Sequence, residues 1–206
     1  MVLFLNIFVK KDTMRKIFIT LLLVVGAFST SHSQEALTWQ TDINKAISIS
    51  KQENKPLFLF FTGSDWCGWC IRLQKEVFKT PEFEAWAKEK VVLVELDFPR
   101  RTPQPDAIKM QNNQLQQFFE VRGYPTVWFV KAGGLVDGKT SLEKLGSSGY
   151  AAGGPSVWLG GADKIIANFV PFTAEQQEVA KKEAERVEKE VKKAEKEAKK
   201  AAKKKK

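Results

Sequence analysis

Two cysteines stand in this 206-residue chain, three apart, in Trp66-Cys67-Gly68-Trp69-Cys70. That spacing serves reversible dithiol chemistry, a zinc site, haem attachment or a small structural loop. A structural zinc site needs about four protein ligands, and the chain adds one histidine, His32, to its two cysteines. Cys70 is followed by Ile71 rather than histidine, which removes haem attachment. A purely structural bridge remains the bland alternative, although so short a loop constrains an unfolded chain little. Dithiol exchange is the reading the surroundings favour. Ahead of the pair, Lys55-Pro56-Leu57-Phe58-Leu59-Phe60-Phe61 holds an apolar run of strand length. Behind it, Cys70, Leu73 and Val77 share a face at helical spacing. Cys67 would then sit at a helix start, where unpaired amides and the dipole stabilise a thiolate. Cys70, one turn deeper, would resolve a mixed disulfide. Trp66 and Trp69 flank the pair as an apolar platform for substrate, with Trp69 equally readable as half-packed core. Asp65 is the nearest carboxylate and a candidate for proton transfer. Its charge opposes a thiolate at Cys67, and an exposed turn residue is the other reading.

The elements that must position this pair follow from periodicity and punctuation. One helix is expected over 35–54, capped by Thr41 or Asp42 and ended by Asn54-Lys55-Pro56. The strand 57–62 leads through Gly63-Ser64-Asp65 into the dithiol. Thr80-Pro81-Glu82 opens a helix with a capping hydroxyl, a proline in the first turn and an acid; Phe83, Trp86 and Ala87 form its apolar face. Val91 to Asp97 is apolar on both parities, which predicts a central strand covered on both sides. A proline-rich loop over 98–105 precedes a helix reaching Glu120, with Asn112-Asn113 as a candidate break. Thr126 to Lys131 is a strand. Gly133-Gly134 and Asp137-Gly138 are turn signals, so a hairpin should return near Gly146 to Tyr150. Pro155 opens a last helix with Leu159, Ala162, Ile165, Ile166 and Phe169 on one face, weakened at Gly160-Gly161 by about 1 kcal/mol per glycine.

Two separated motifs resemble the thioredoxin-fold proteins. Trp66-Cys67-Gly68-Trp69-Cys70 resembles their Trp-Cys-x-x-Cys motif. Val121-Arg122-Gly123-Tyr124-Pro125-Thr126, ahead of Val127-Trp128-Phe129-Val130, resembles their cis-proline loop. The resemblance spans about residues 36–170 and implies an α/β, thioredoxin-like fold: a central mixed sheet of about four strands flanked by helices. It implies Cys67 and Cys70 as the catalytic pair and a cis bond before Pro125, a plain trans turn being the alternative. Tyr124, Pro125 and Thr126, with Trp66 and Trp69, would bind a substrate segment as an added strand. Thr62-Gly63-Ser64-Asp65-Trp66-Cys67 is similar to secreted bacterial members, among them disulfide reductases and isomerases. Protein thiols and disulfides are then the substrates, no cofactor is needed, and a membrane partner supplies electrons. The chain departs from the family twice. Many thioredoxins carry a buried Asp on the strand before the dithiol, and Leu57 to Phe61 holds no acid. Oxidases and isomerases carry a histidine between the cysteines, and this chain has Gly68-Trp69. The reading is a thiol-disulfide oxidoreductase that reduces or isomerises protein disulfides; a disulfide oxidase and a non-catalytic binding module are the alternatives.

The charge of the chain sits at its ends. Residues 1–33 carry a net +3, residues 34–172 a net +1 and residues 173–206 a net +5, within a total of +9. The expected folded domain, 34–172, is nearly neutral, and no aromatic residue follows Phe172. A basic, aromatic-interleaved nucleic-acid surface is therefore not expected. Arg15-Lys16, the apolar Ile17 to Phe28 and the small residues Ser31-His32-Ser33 compose a secretory signal over 1–33. Cleavage is expected before Gln34, with Met14 as a candidate start and an uncleaved anchor as the alternative. The protein would then act in the periplasm or outside the cell. Once the leader is gone no histidine remains, so Ser-His and Cys-His nucleophile systems are excluded. No phosphate-cradling glycine loop occurs. Residues 173–206 form a Lys/Glu/Ala-rich tail. Ala180, Ala184, Val187, Val191, Ala194, Ala198 and Ala201 trace a weak heptad seam on an otherwise solvated helix. Contact with anionic envelope surfaces or an acidic partner is its sharper reading.

Overall fold

The computed structural model describes residues 37–136 and 139–182, together with 185, 186 and 189. The leader lies outside the described residues, as does most of the heptad seam. In chain order the elements are α1 (Ile43–Glu53), β1 (Leu57–Thr62), α2 (Gly68–Leu73) with a π-helical continuation (Gln74–Phe78), α3 (Pro81–Lys90), β2 (Val92–Asp97), α4 (Asp106–Phe118), β3 (Thr126–Val136), β4 (Lys139–Ser148) and α5 (Gly154–Ile166). The four strands make one mixed sheet in the order β2-β1-β3-β4. β1 runs parallel to β2 and antiparallel to β3, and β3 pairs antiparallel with β4.

The period of two in β1 builds two cores. Phe58 and Phe60 face one side, where α2, α3 and α5 supply Cys70, Leu73, Phe83, Trp86, Trp158 and Ala162. Leu57, Leu59 and Phe61 face the other, against Ile43, Ala46 and Ile47 of α1 and Leu115 of α4. The first core is dominated by aromatic rings: Phe58 meets Phe78, Phe83, Phe129 and Trp158 with centroids 5.4–5.9 Å apart. Edge-to-face pairs of this kind stabilise beyond their buried area by about 0.5–1.5 kcal/mol each.

Several expectations are corrected. The first helix begins at Ile43, because the residues before it do other work. Trp39 packs on Phe58, Phe60 and Phe78, Gln40 pairs with Val94, and Asp42 caps α1 by accepting from the Asn44 and Lys45 amides. β2 is an edge strand and β1 the central one. Both faces of β2 are covered by helices, and its outer edge is shielded where Gln40 donates to the Leu93 carbonyl at 2.9 Å and accepts from the Glu95 amide at 2.8 Å. Its two-sided apolar pattern reports that cover, not its place in the order. α4 runs unbroken through Asn112-Asn113: Asn112 is buried and donates to the Asp97 carbonyl at 2.9 Å. Gly133-Gly134 lie inside β3, at a register shift between Ala132 and Leu135, rather than in a turn. The π-helical turn after α2 was not foreseen. Its extra residue brings both Val77 and Phe78 into the core. α5 continues through Gly160-Gly161. Beyond Phe172 the chain is helical over 174–182 and buries Ala180. No helix among the described residues is long and apolar enough to cross a membrane.

Candidate active site

β1 ends at Thr62, and the chain turns through Gly63-Ser64-Asp65 to present the cysteines at the start of α2. Ser64 donates to Asp97 through its amide and its hydroxyl, which ties this turn to the end of β2. The Cys67 amide donates to the Gly63 carbonyl at 2.8 Å. Gly63 must be glycine, since a Cβ there would fall on the indole of Trp66.

Cys67 is the N-cap of α2, and its sulfur accepts from the Cys70 amide at 3.2 Å. The two cysteines are joined in a disulfide. Both cysteines are buried, but Cys67 keeps 6% of its surface and Cys70 none. The approach is open beside it: Gly68 is exposed with empty space where a Cβ would stand, and Trp69 is 55% exposed.

Two aromatic walls flank the pair. On one side Trp66 donates to the Phe98 carbonyl at 2.8 Å and meets the ring of Tyr124 edge-on at 5.7 Å. The Arg100 guanidinium lies 4.0 Å over the Trp66 ring. Tyr124 is joined to Pro125 by a cis peptide. Gln116 donates to the Tyr124 hydroxyl at 2.6 Å, while burial pushes the phenol above its usual range. Thr126 donates to the Gly123 carbonyl and closes the loop. On the other side Trp69 stands 5.0 Å from the ring of Tyr150, and Arg72 faces both rings. Tyr150 donates to Glu76 at 2.7 Å, and Arg72 donates to the same carboxylate at 2.8 Å. These two bonds, that of Tyr150 first, hold Glu76 below the usual carboxylate range. Arg72 and Tyr150 carry no motif; Arg72 reaches Trp69 at i,i+3 on α2, and the fold brings Tyr150 to both.

The Asp65 carboxylate is engaged by the 98–105 loop. It accepts from the amides of Arg100, Arg101 and Thr102 at 2.7–3.1 Å. Those bonds, that of Arg100 first, lower its pKa from the ordinary 3.8. A carboxylate that the sequence left unmarked is Glu95. It pairs in register with Phe60 and so faces the dithiol side of the sheet. Burial, then the charge of Asp97, raises its pKa from 4.5. Periodicity hid it, because β2 reads as uniformly apolar around one acid.

Comparison with known proteins agrees with this geometry. The family described as "Thioredoxin-like domain" matches residues 43–145. The disulfide bond reductase DsbH of Chlamydia pneumoniae is 36% identical over 116 residues, 56% of this chain and 69% of that protein. The thioredoxin-related protein DsbJ of the same organism is 30% identical over 123 residues, 60% of this chain but 34% of its own length. The solved structure of a DsbH oxidoreductase superposes with a TM-score of 0.56 at 30% identity, covering 68% of this chain and 92% of that one. The matched residues, the mixed sheet and the bridged Cys-x-x-Cys pair at a helix start together place this chain in the thioredoxin-like domain family, as a thiol-disulfide oxidoreductase.

Proposed function

We propose that the protein works outside the cytoplasm as a disulfide reductase or isomerase, with Cys67 attacking and Cys70 resolving. The observation that carries the reading is the asymmetry of the pair: Cys67 keeps a small exposed surface and receives the Cys70 amide, while Cys70 keeps none. An amide aimed at Cys67 Sγ favours negative charge there once the bridge is open. The Cys67 thiolate attacks one sulfur of a client disulfide. The client S–S bond breaks, one client sulfur leaves as a thiolate and takes a proton, and the other is joined to Cys67. Cys70 loses its proton and attacks Cys67 Sγ, which releases the second client thiol and re-forms the Cys67–Cys70 bridge. The client gains two electrons and two protons, and an external dithiol donor, for which a membrane protein is the candidate, restores the pair.

The Tyr124 backbone, just ahead of β3, is the segment on which a client would pair as an added strand. The exposed face of Trp69 and the Trp66–Tyr124 wall supply its apolar contacts. Asp65 serves the 98–105 loop rather than proton transfer, because three amides of that loop already donate to it. The reductive direction draws support from the relative named a disulfide bond reductase and from the lack of a histidine between the cysteines. The apolar leader supports export, and the basic tail supports contact with an anionic envelope surface or an acidic partner.

The test is the reduction potential of the Cys67–Cys70 couple. A value near about −270 mV supports reduction, whereas one between about −180 and −120 mV would assign the protein to disulfide donation. A Cys70→Ser variant should accumulate client proteins as mixed disulfides on Cys67. An empty trap would leave a binding role as the better account.

A further inference from the structure

The arginines of this fold are not scattered. Residues 37–172 contain four, Arg72, Arg100, Arg101 and Arg122, and all four lie on the three segments that surround the dithiol. Arg72 is on α2, Arg100 and Arg101 are on the loop beneath Trp66, and Arg122 is two residues ahead of Tyr124. The lysines, by contrast, are spread over helices and strands throughout the fold.

The four divide into two groups. Arg72 is neutralised by Glu76 and braced against Trp69 and Tyr150, so it is part of a wall. Arg100, Arg101 and Arg122 are exposed and form no ion pair among the described residues. All three belong to the segments on the Trp66–Tyr124 side: Arg100 stands over the Trp66 ring, Arg101 follows it on the same loop, and Arg122 is two residues ahead of Tyr124. The Arg100 guanidinium lies 4.0 Å over the Trp66 ring, a cation–π contact that holds the charge beside the dithiol. The nearby carboxylates are largely committed elsewhere: Asp65 to the amides of the arginine loop, Asp97 to Ser64, Glu76 to Arg72 and Tyr150. Glu120 is exposed ahead of Arg122. By holding the backbone of residues 100–102, Asp65 fixes how Arg100 and Arg101 are presented.

Building on the dithiol reading above, we infer that Arg100, Arg101 and Arg122 form an anion-reading edge, selecting client proteins whose disulfide is flanked by aspartate or glutamate. The occupant is an acidic, extended client segment. Its backbone lies against the Tyr124-Pro125 loop and its carboxylates meet the three forks. Lysine would place charge there as well; arginine adds the planar, stacked geometry that suits carboxylates.

The experiment uses the full chain with its dithiol reduced. It is offered two synthetic peptides, each holding one disulfide, identical except that three glutamates beside one cysteine are glutamines in the second. Exchange follows the balanced steps given above, with the protein's dithiol as reductant, and the initial rate is read at low and high salt. The glutamate peptide should react about fivefold faster or more at low ionic strength, and the ratio should shrink towards one as salt shortens the screening length. The double variant Arg100→Gln/Arg122→Gln should bring the low-salt ratio close to one. Arg122→Glu should turn the preference towards a lysine-flanked peptide. Equal rates for both peptides with the unaltered protein would overturn the proposal while leaving the dithiol reading intact. So would a ratio indifferent to the arginine substitutions. Failure to reduce either peptide would overturn the reductase reading itself, and the anion-reading edge with it.

Discussion

Cys67 and Cys70 share one core and one bridge, yet only Cys67 keeps any exposure, and single residues near the pair shape its setting. Gly63 is a case where absence of a side chain does the positioning: the Trp66 indole occupies the place of its Cβ. Gly63→Ala should displace Trp66, break its bond to the Phe98 carbonyl and cost about 1–3 kcal/mol, read as a lower urea midpoint with altered tryptophan fluorescence. Two carboxylates should respond to pH with opposite sign. Asp65 is held below its ordinary 3.8 by three amides, so its contribution is fully present above that value and fades as pH falls through the lowered one. The urea-midpoint gap between the parent and Asp65→Asn should be level near neutral pH and close in acid. Glu95 is raised above 4.5 by burial, so the stability it permits is present below 4.5 and lost as pH rises through its folded value. Glu95→Gln should therefore gain stability relative to the parent above that window and show no gap below it. A Glu95→Gln gap that widened towards acid would contradict this assignment.

At the scale of elements, α5 shows how packing reaches the site. Trp158 is 2% exposed, lies against Phe58, Phe78, Phe83 and Phe129, and donates to the Gly149 carbonyl at 2.9 Å. That bond holds the segment that carries Tyr150, the ring partner of Trp69. Trp158→Ala should cost about 3–5 kcal/mol. Trp158→Phe should keep most of the packing, lose about 1 kcal/mol with the hydrogen bond and loosen the Trp69 wall, seen as faster quenching of Trp69 emission. Of the expected apolar stripe, Leu159, Ala162, Ile165 and Ile166 pack on the dithiol-side core, as does Trp158, four residues before Ala162 and not among those named, whereas Phe169 lies past the end of α5 and packs on the opposite core. The dithiol turn, β1 and the α3 cap were legible, since each is written in local residues: a Cys pair, an apolar run, Thr80-Pro81. The antiparallel return of β4 on β3 was expected as well, but of its two glycine signals Gly133-Gly134 lie inside β3 and Asp137-Gly138 lie outside the described residues. What escaped was set by distant neighbours. β2 lies at the edge because Gln40 returns to cover it, and α4 keeps Asn112 because Asp97 offers it a carbonyl. The Arg100–Trp66 stack joins segments more than thirty residues apart in sequence. Cap chemistry and period carry no information about such partners.

Among the described residues, the sheet carries the dithiol on one face and the aromatic anchors Phe169 and Phe172 on the other. Phe172 is buried in the core beneath α1, its amide donates to the Asn54 side chain at 2.7 Å, and Lys131 faces its ring. Phe169 packs on the same core and on Phe172. A net +1 over 34–172 against +5 beyond it invites a division at Thr173, yet Ala180 is still buried, so the fold reaches past the change in composition. Three truncations separate these contributions. A chain ended after Lys182 should unfold at the parent's urea midpoint. One ended after Thr173 loses the burial of Ala180 and should fall by about 1 kcal/mol. One ended after Asn168 loses two aromatic anchors and should fall by at least about 3 kcal/mol. Because these anchors lie across the sheet from Cys67 and Cys70, the first two truncations should leave the reduction potential of the pair within about 30 mV of the parent, the equivalent of about 1.4 kcal/mol. A larger shift would mean that the charged extension reaches the dithiol face, and the separation of the two faces would then be wrong.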